Sequence, residues 1–280
     1  MASPVASELR SFGRAWVAAA ALTWSGGCIY VTGVSDYEKG ACEGPCDAGV
    51  DAPADAPSQC PSGMVFVAGG GFVPVGRPTG GIVRVDGLCV DPTEVTESAY
   101  RACVLRGACT APPNKTFCNH GQSGRDADPI NCVDIGQAKA FCASQGKRLP
   151  TEDEWEWVAR GGPLGYAFPW GNAAPLAADD PERLCWQGKT KHDTEATWPS
   201  RPAGTCAVGA FPSGARDGLF DLAGNVWEWT STEATGTTFV FRGGSAFDPA
   251  DPTTFQAGSR RTAASAAYPG VGFRCFATAR

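Results

Sequence analysis

The stretch from Arg242 to Phe255, RGGSAFDPADPTTF, gathers residue types that can do chemistry. An arginine can hold an anion, a serine can pass a proton, and two glycines allow a close backbone approach. Asp248 and Asp251 could form a carboxylate pair for acid–base work. Each precedes a proline, though, and Asp before Pro is more often a device for turning the chain. Elsewhere, Cys118-Asn-His120 could ligate a metal; a bridge from Cys118 to Cys132 beside a surface histidine is the simpler reading. Histidine is scarce, with only His120 and His192 in the chain. A catalytic His pair or a three-His metal centre is thereby nearly excluded.

The elements that must position these residues read as follows. MVFVAGGGFVPVG (64–76) gives two short strands around a glycine turn, and IVRVDGLCVD (82–91) gives another strand. EVTESAYRACVLRGAC places Val95, Tyr100, Cys103 and Val104 at helical spacing, with Thr96 as N-cap and Gly107 as the stop. DIGQAKAFCASQG predicts a helix capped by Asp134, with Ile135, Ala138, Phe141 and Cys142 on one face and Gly146 at its end. LPTEDEWEWVARGG carries a capping box, Thr151 with Glu154, for a short helix ending at Gly161. Past Gly162 the regular pattern nearly vanishes for about 50 residues, a length that needs disulfides, tryptophans or a metal to be ordered. Trp227 and Trp229 lie two apart, share a face on a strand, and read as core.

Composition agrees with a turn-rich fold. Of 280 residues, 36 are Gly and 22 are Pro, while an apolar share of 43% is ordinary for a globular core. The net charge of −6 comes from interspersed acids and bases without a basic stripe, so nucleic-acid binding has little support.

The first residues, MASPVASELRSFGRAWVAAAALTWSGGC, follow the order of a secretory signal: basic Arg10 and Arg14, an apolar run from Ala15 to Trp24, then small residues. The run is too short to cross a bilayer as a helix. Cys28 directly after the small residues resembles a bacterial lipoprotein signal, although Ser25 stands where leucine is usual. Lipidation of Cys28 is the first reading; plain secretion and an uncleaved anchor stay open. Residues 1–27 are then the signal peptide, 28–59, rich in Asp, Ala and Pro, a disordered tether, and 60–280 one domain. The setting is an outer-membrane or cell-surface lipoprotein, otherwise periplasmic or secreted. Export permits disulfides, and of the 13 cysteines 12 remain beside Cys28. Short-range pairing suits Cys42–Cys46, Cys103–Cys109, Cys118–Cys132 and Cys185–Cys206. The lack of paired C-x-x-C knuckles speaks against zinc.

Five phrases stand in order: EVTESAYRACV; GKRLPTEDEWEWVARGG with FPWGN; GLFDLAGNVWEWTS; RGGS; and GFRC. The series resembles the formylglycine-generating enzyme, or sulfatase-modifying factor, family over about residues 63–278. The resemblance implies an α+β fold, a variant of the C-type lectin fold with little regular secondary structure, stapled by disulfides. It implies a bridge between Cys142 and Cys275. Members resembling the founding enzyme oxidise a sulfatase cysteine to formylglycine with oxygen and copper(I) on two thiols, soft ligands that suit that ion. Those thiols match Asp248 and Thr253 here, and no cysteine lies between Cys206 and Cys275, so copper is not expected. Arg242 and Ser245 match the family's catalytic rim, which makes Arg242, Ser245, Asp248 and Thr253 the candidates for a degenerate cleft. The family's calcium site implies Asp221 and Glu228 as side-chain ligands, with the carbonyls of Gly224 and Val226. Its second calcium site matches Leu184 and Ser200, which do not suit the ion, and Cys185–Cys206 could order that loop instead.

The expected function is that of a non-catalytic, membrane-tethered binding or scaffold domain. Its partner would be an envelope protein, a peptide or a polysaccharide. The alternatives are a formylglycine-generating oxidoreductase, or an enzyme of other chemistry in the same cleft.

Overall fold

The computed structural model describes residues 60–75, 81–175, 183–186, 204–249 and 251–280. The readings of the signal segment with Cys28, the tether with Cys42–Cys46, His192 and Ser200 lie outside these residues.

Among the described residues three α-helices start where their caps say they should. Thr96 accepts from the Ala99 amide and opens α1, Glu97–Leu105. Asp134 and Gln137 close a reciprocal capping box on α2, Ile135–Ser144, and Thr151 with Glu154 do the same on α3, Glu152–Ala159. Glu154 has a second task, because Arg148 meets its carboxylate with two parallel hydrogen bonds of 2.7 Å. The KRLPTEDE phrase is therefore a clamp on the start of α3.

The strands differ from expectation. β1 (Val65–Val67) and β2 (Gly70–Phe72) do not pair with each other. The segment read as one strand is two, β3 (Val83–Val85) and β4 (Leu88–Val90), in different sheets. β2 pairs with β3, whereas β4 lies between β1 and β9 (Phe276–Thr278), all antiparallel. The break comes at Asp86-Gly87. A Cβ at the neighbouring Gly69 would meet the Val85 carbonyl at 2.4 Å, so the two hairpin layers cross closely there. The four-stranded sheet runs β7 (Arg260–Ala264), β6 (Thr238–Arg242), β5 (Trp227–Thr235), β8 (Val271–Gly272), with β5 and β8 parallel.

One core layer joins α1 and α2 to β5: Tyr100, Phe141, Trp227, Trp229 and Phe273 are its large members. A second packs Trp155, Trp157 and Val158 of α3 on Leu88, Val90 and Phe276. Each such side chain contributes about 1.5–3 kcal/mol by burial.

Among the described residues five disulfides staple the rest: Cys60–Cys89, Cys103–Cys109, Cys118–Cys132, Cys142–Cys275 and Cys185–Cys206. Four of these pairs were expected; Cys60–Cys89 was not. Cys142–Cys275 closes a loop of 133 residues. A loop of that order restricts the unfolded chain by about 5 kcal/mol in the chain-entropy account.

Candidate functional site

Strand β6 delivers Arg242 and then turns sharply. Gly243 and Gly244 have φ of 107° and 78°. A Cβ on Gly244 would sit 2.5 Å from the Phe255 ring, so this position needs glycine. Arg242 is wholly buried. Its Nη2 lies 3.1 Å from Glu152 and 3.0 Å from Glu156, one turn apart on α3. Burial lowers the Arg242 pKa from its usual value, and the two carboxylates oppose that shift. Arg242 thus pins helix to strand and does not face an open rim.

Asp248 is as fully engaged. Its Oδ2 accepts from Trp227 Nε1 (2.6 Å), the Ser245 amide (2.9 Å) and Ser245 Oγ (2.7 Å), and Arg261 reaches Oδ1 at 2.8 Å. Ser245 and Asp248 are both buried. Of the four cleft candidates only Thr253 is exposed. Its amide and hydroxyl donate to Asp251, which caps a 3-10 turn over Pro252–Phe255. Those two bonds hold the Asp251 carboxyl below its usual range. The second aspartate is a turn device, and the two aspartates do not form an acid–base pair. Trp227 and Trp229 lie in the core, both edge-on to Phe241. His120 Nδ1 lies 3.3 Å from the buried Glu97, while Cys118 is bridged to Cys132. All ten described cysteines are in disulfides.

The DLAGNVWEW segment winds tightly, with Asp221, Gly224 and Asn225 all at positive φ (56°, 81° and 57°). A side chain at Gly224 would strike the Cys185 carbonyl at 2.6 Å. Asp221 accepts from the Gly209 amide at 2.6 Å. Glu228 is taken up differently. Arg274 donates to it through Nε and Nη2 (2.7–2.9 Å), and Trp155 Nε1 adds a bond of 2.7 Å.

The residue that sequence reasoning missed is Glu94. It is 2% exposed, and no donor faces either carboxylate oxygen. Burial pushes its pKa well above the usual carboxyl range, and Asp221 beside it adds to the shift. Burial raises Asp221 as well. Two adjacent buried carboxyls need a proton, a cation or a water between them. The buried group holds three carboxyls, Glu94, Asp221 and Glu228, against one guanidinium, Arg274, an imbalance that a divalent cation would close. Among the described residues no three acidic, His or Cys side chains converge on one point. A shell would therefore draw on Glu94 and Asp221 with the Gly224 and Val226 carbonyls, while Glu228 stays largely committed to Arg274. Oxygen donors of this kind are what a hard divalent cation takes. The signal for Glu94 was present as the first letter of EVT, an acid in a quoted motif with no basic neighbour.

Comparison with known proteins follows the same lines. The sequence profile of the sulfatase-modifying factor enzyme 1-like domain matches residues 50–279. The chain is 40% identical over 158 residues to inactive C-alpha-formylglycine-generating enzyme 2 of Bos taurus, covering 52% of this chain and 49% of that one. It is 42% identical over 107 residues to the formylglycine-generating enzyme of Mus musculus, covering 38% of this chain and 28% of that one. This chain thus spans about half or less of these curated relatives. Among solved structures, PvdO from Pseudomonas aeruginosa superposes with a TM-score of 0.59 at 21% identity, over 76% of this chain and 93% of that one. CarF does so with a TM-score of 0.55 at 19% identity, over 78% and 98%. These two likenesses show the fold alone, which is the α+β, C-type-lectin-like variant of formylglycine-generating enzymes. With a profile match over most of its length, the chain belongs to the sulfatase-modifying factor enzyme 1-like family.

Proposed function

We propose that this protein is a non-catalytic binding or scaffold domain of the family, exported and tethered to a membrane by a lipid on Cys28. The observation that carries the reading is at position 248. Where the family's chemistry needs a thiol, this chain has a carboxylate already holding Trp227, Ser245 and Arg261. Thr253 replaces the second thiol, and every described cysteine is consumed in a disulfide. Copper(I) has no soft ligand pair to bind there. The name of the Bos taurus relative, an inactive enzyme, supports the same reading. Five disulfides are consistent with maturation outside a reducing cytosol.

Calcium, in this reading, is structural and lies between Glu94 and Asp221, where it would neutralise buried charge. The partner is an envelope protein, a peptide or a polysaccharide. The role is tested by titrating the full chain with copper(I) and incubating it with oxygen and a sulfatase-derived cysteine peptide. The peptide is expected to leave with its cysteine mass unchanged. Conversion of that cysteine to formylglycine would overturn the non-catalytic role.

A further inference from the structure

The loop between α1 and α2 contains a residue held in a conformation it would not choose. Phe117 has φ of 67°, a left-handed backbone that is a genuine outlier for a bulky side chain. Such outliers persist only where the surroundings over-determine them. Here the surroundings are explicit. The Phe117 carbonyl accepts from Asn131 Nδ2 at 2.7 Å, and Asn131 Oδ1 accepts from the Asn119 amide at 2.7 Å. Asn119 Nδ2 is tied in turn to the Pro129 carbonyl and Thr205. The next residue, Cys118, is bridged to Cys132, itself at φ of 57°. Yet the ring held this way is not buried: Phe117 is 51% exposed. It stands edge-on to Phe247, centroids 5.8 Å apart, the residue that follows RGGSA.

Beside this ring opens a cavity of about 610 Å³. Its polar lining includes the amides Asn114 and Gln122, with Lys115 and Ser123. Gln122 Nε2 donates to Asn114 Oδ1 at 3.0 Å, which sets the two amides side by side. The Asn114 amide nitrogen and the Gln122 carbonyl remain, a donor next to an acceptor. An aromatic face, a paired donor and acceptor and a hydroxyl match a sugar ring, which offers an apolar C–H face and vicinal hydroxyls. An extended peptide is ordinarily held by main-chain bonds at a strand edge, and the lining here is coil and turn.

We propose that this pocket binds a pyranose sugar ring, stacked on Phe117 and hydrogen-bonded by Asn114 and Gln122. The proposal rests on the non-catalytic binding role and names its ligand class. The copper assay does not involve this pocket, so the two readings fail separately.

The test applies the full chain to immobilised neutral oligosaccharides and, in parallel, to random heptapeptides. Methyl glycosides of the same sugars compete in solution, which separates single-sugar recognition from recognition of a chain. Phe117→Ala is the main variant. Gln122→Ala, at an exposed turn, is the second in case the first fails to fold. Each is expected to weaken oligosaccharide binding about tenfold, or about 1.4 kcal/mol. Phe117→Trp is expected to retain it. Binding unchanged in both alanine variants would overturn the site. Retention of peptides that depends on Phe117, or no saccharide retained at all, would overturn the ligand class.

Discussion

At Asp248 one side chain does the work of several. It accepts three hydrogen bonds on one oxygen and an ion pair on the other, tying β5, the RGGS turn and β7 together. Asp248→Ala would leave the buried Trp227 indole N–H without a partner and would free the Ser245 turn. An unsatisfied buried donor costs about 1–3 kcal/mol, and the lost charge-assisted bonds add to this. We expect a loss of about 3 kcal/mol in urea unfolding with an unchanged m-value; a loss under about 1 kcal/mol would contradict a latching role. The sequence told that Asp248 is not a cysteine and that Asp-Pro turns chains. It could not tell that the carboxylate points inward, because Trp227 lies 21 residues away and nothing local records their meeting. For Glu94 the sequence shows the acid in EVT but not its surroundings, since Asp221 and Glu228 arrive from far along the chain.

Among the elements, α3 shows how a helix is fixed by its ends and by one face. The capping box was readable because both members lie three residues apart. The ion pairs from Arg242 to Glu152 and Glu156 were not, because they span the interior. Arg242→Met should unseat α3 from β6, at about 3–5 kcal/mol, because the buried Glu156 would lose its closest cation and keep the Val75 amide and Arg160 at 3.3 Å. The effect should depend on pH. Burial already raises the Glu156 carboxyl above its usual range, and Arg242 pulls it down. Without Arg242 the folded pKa rises further above the unfolded one. Stability is then fully present below the unfolded pKa and is lost as pH rises through the folded value. The variant should approach wild-type stability near pH 4 and fall behind toward pH 7. Melting at a series of pH values checks this, and a gap that does not widen would argue against the mechanism. Strands were less legible than helices. Three-residue strands carry too few alternations to announce their partners, so β1 and β2 were joined on the strength of a glycine turn when each pairs elsewhere.

At the scale of the molecule, stability has two sources that experiments can separate, covalent closure and charge neutralisation. If calcium sits between Glu94 and Asp221, a chelator should lower Tm and excess calcium should restore it. Free calcium at a hundredfold over Kd adds about 2.7 kcal/mol, which is several degrees for a domain of this size. Glu94→Gln should abolish most of the response. A chelator-insensitive melt of the wild-type chain would remove calcium from the account.

The disulfide pattern also decides how the protein would carry mechanical load. A pull between the segment before Cys60 and the C-terminus enters at Cys60 and crosses at once to Cys89. It later crosses from Cys142 to Cys275. Besides the short tail after Cys275, the stretches Cys89–Cys103, Cys109–Cys118 and Cys132–Cys142 can pay out, together on the order of 110 Å at about 3.3–3.6 Å per residue. The β2–β3 hairpin and the sheet that carries the RGGS turn lie inside closed covalent loops, so they feel no tension while those bonds last. Phe117, one residue before Cys118, lies instead on the Cys109–Cys118 stretch that carries the load, so tension would displace the ring of the proposed pocket while the sheet stays at rest.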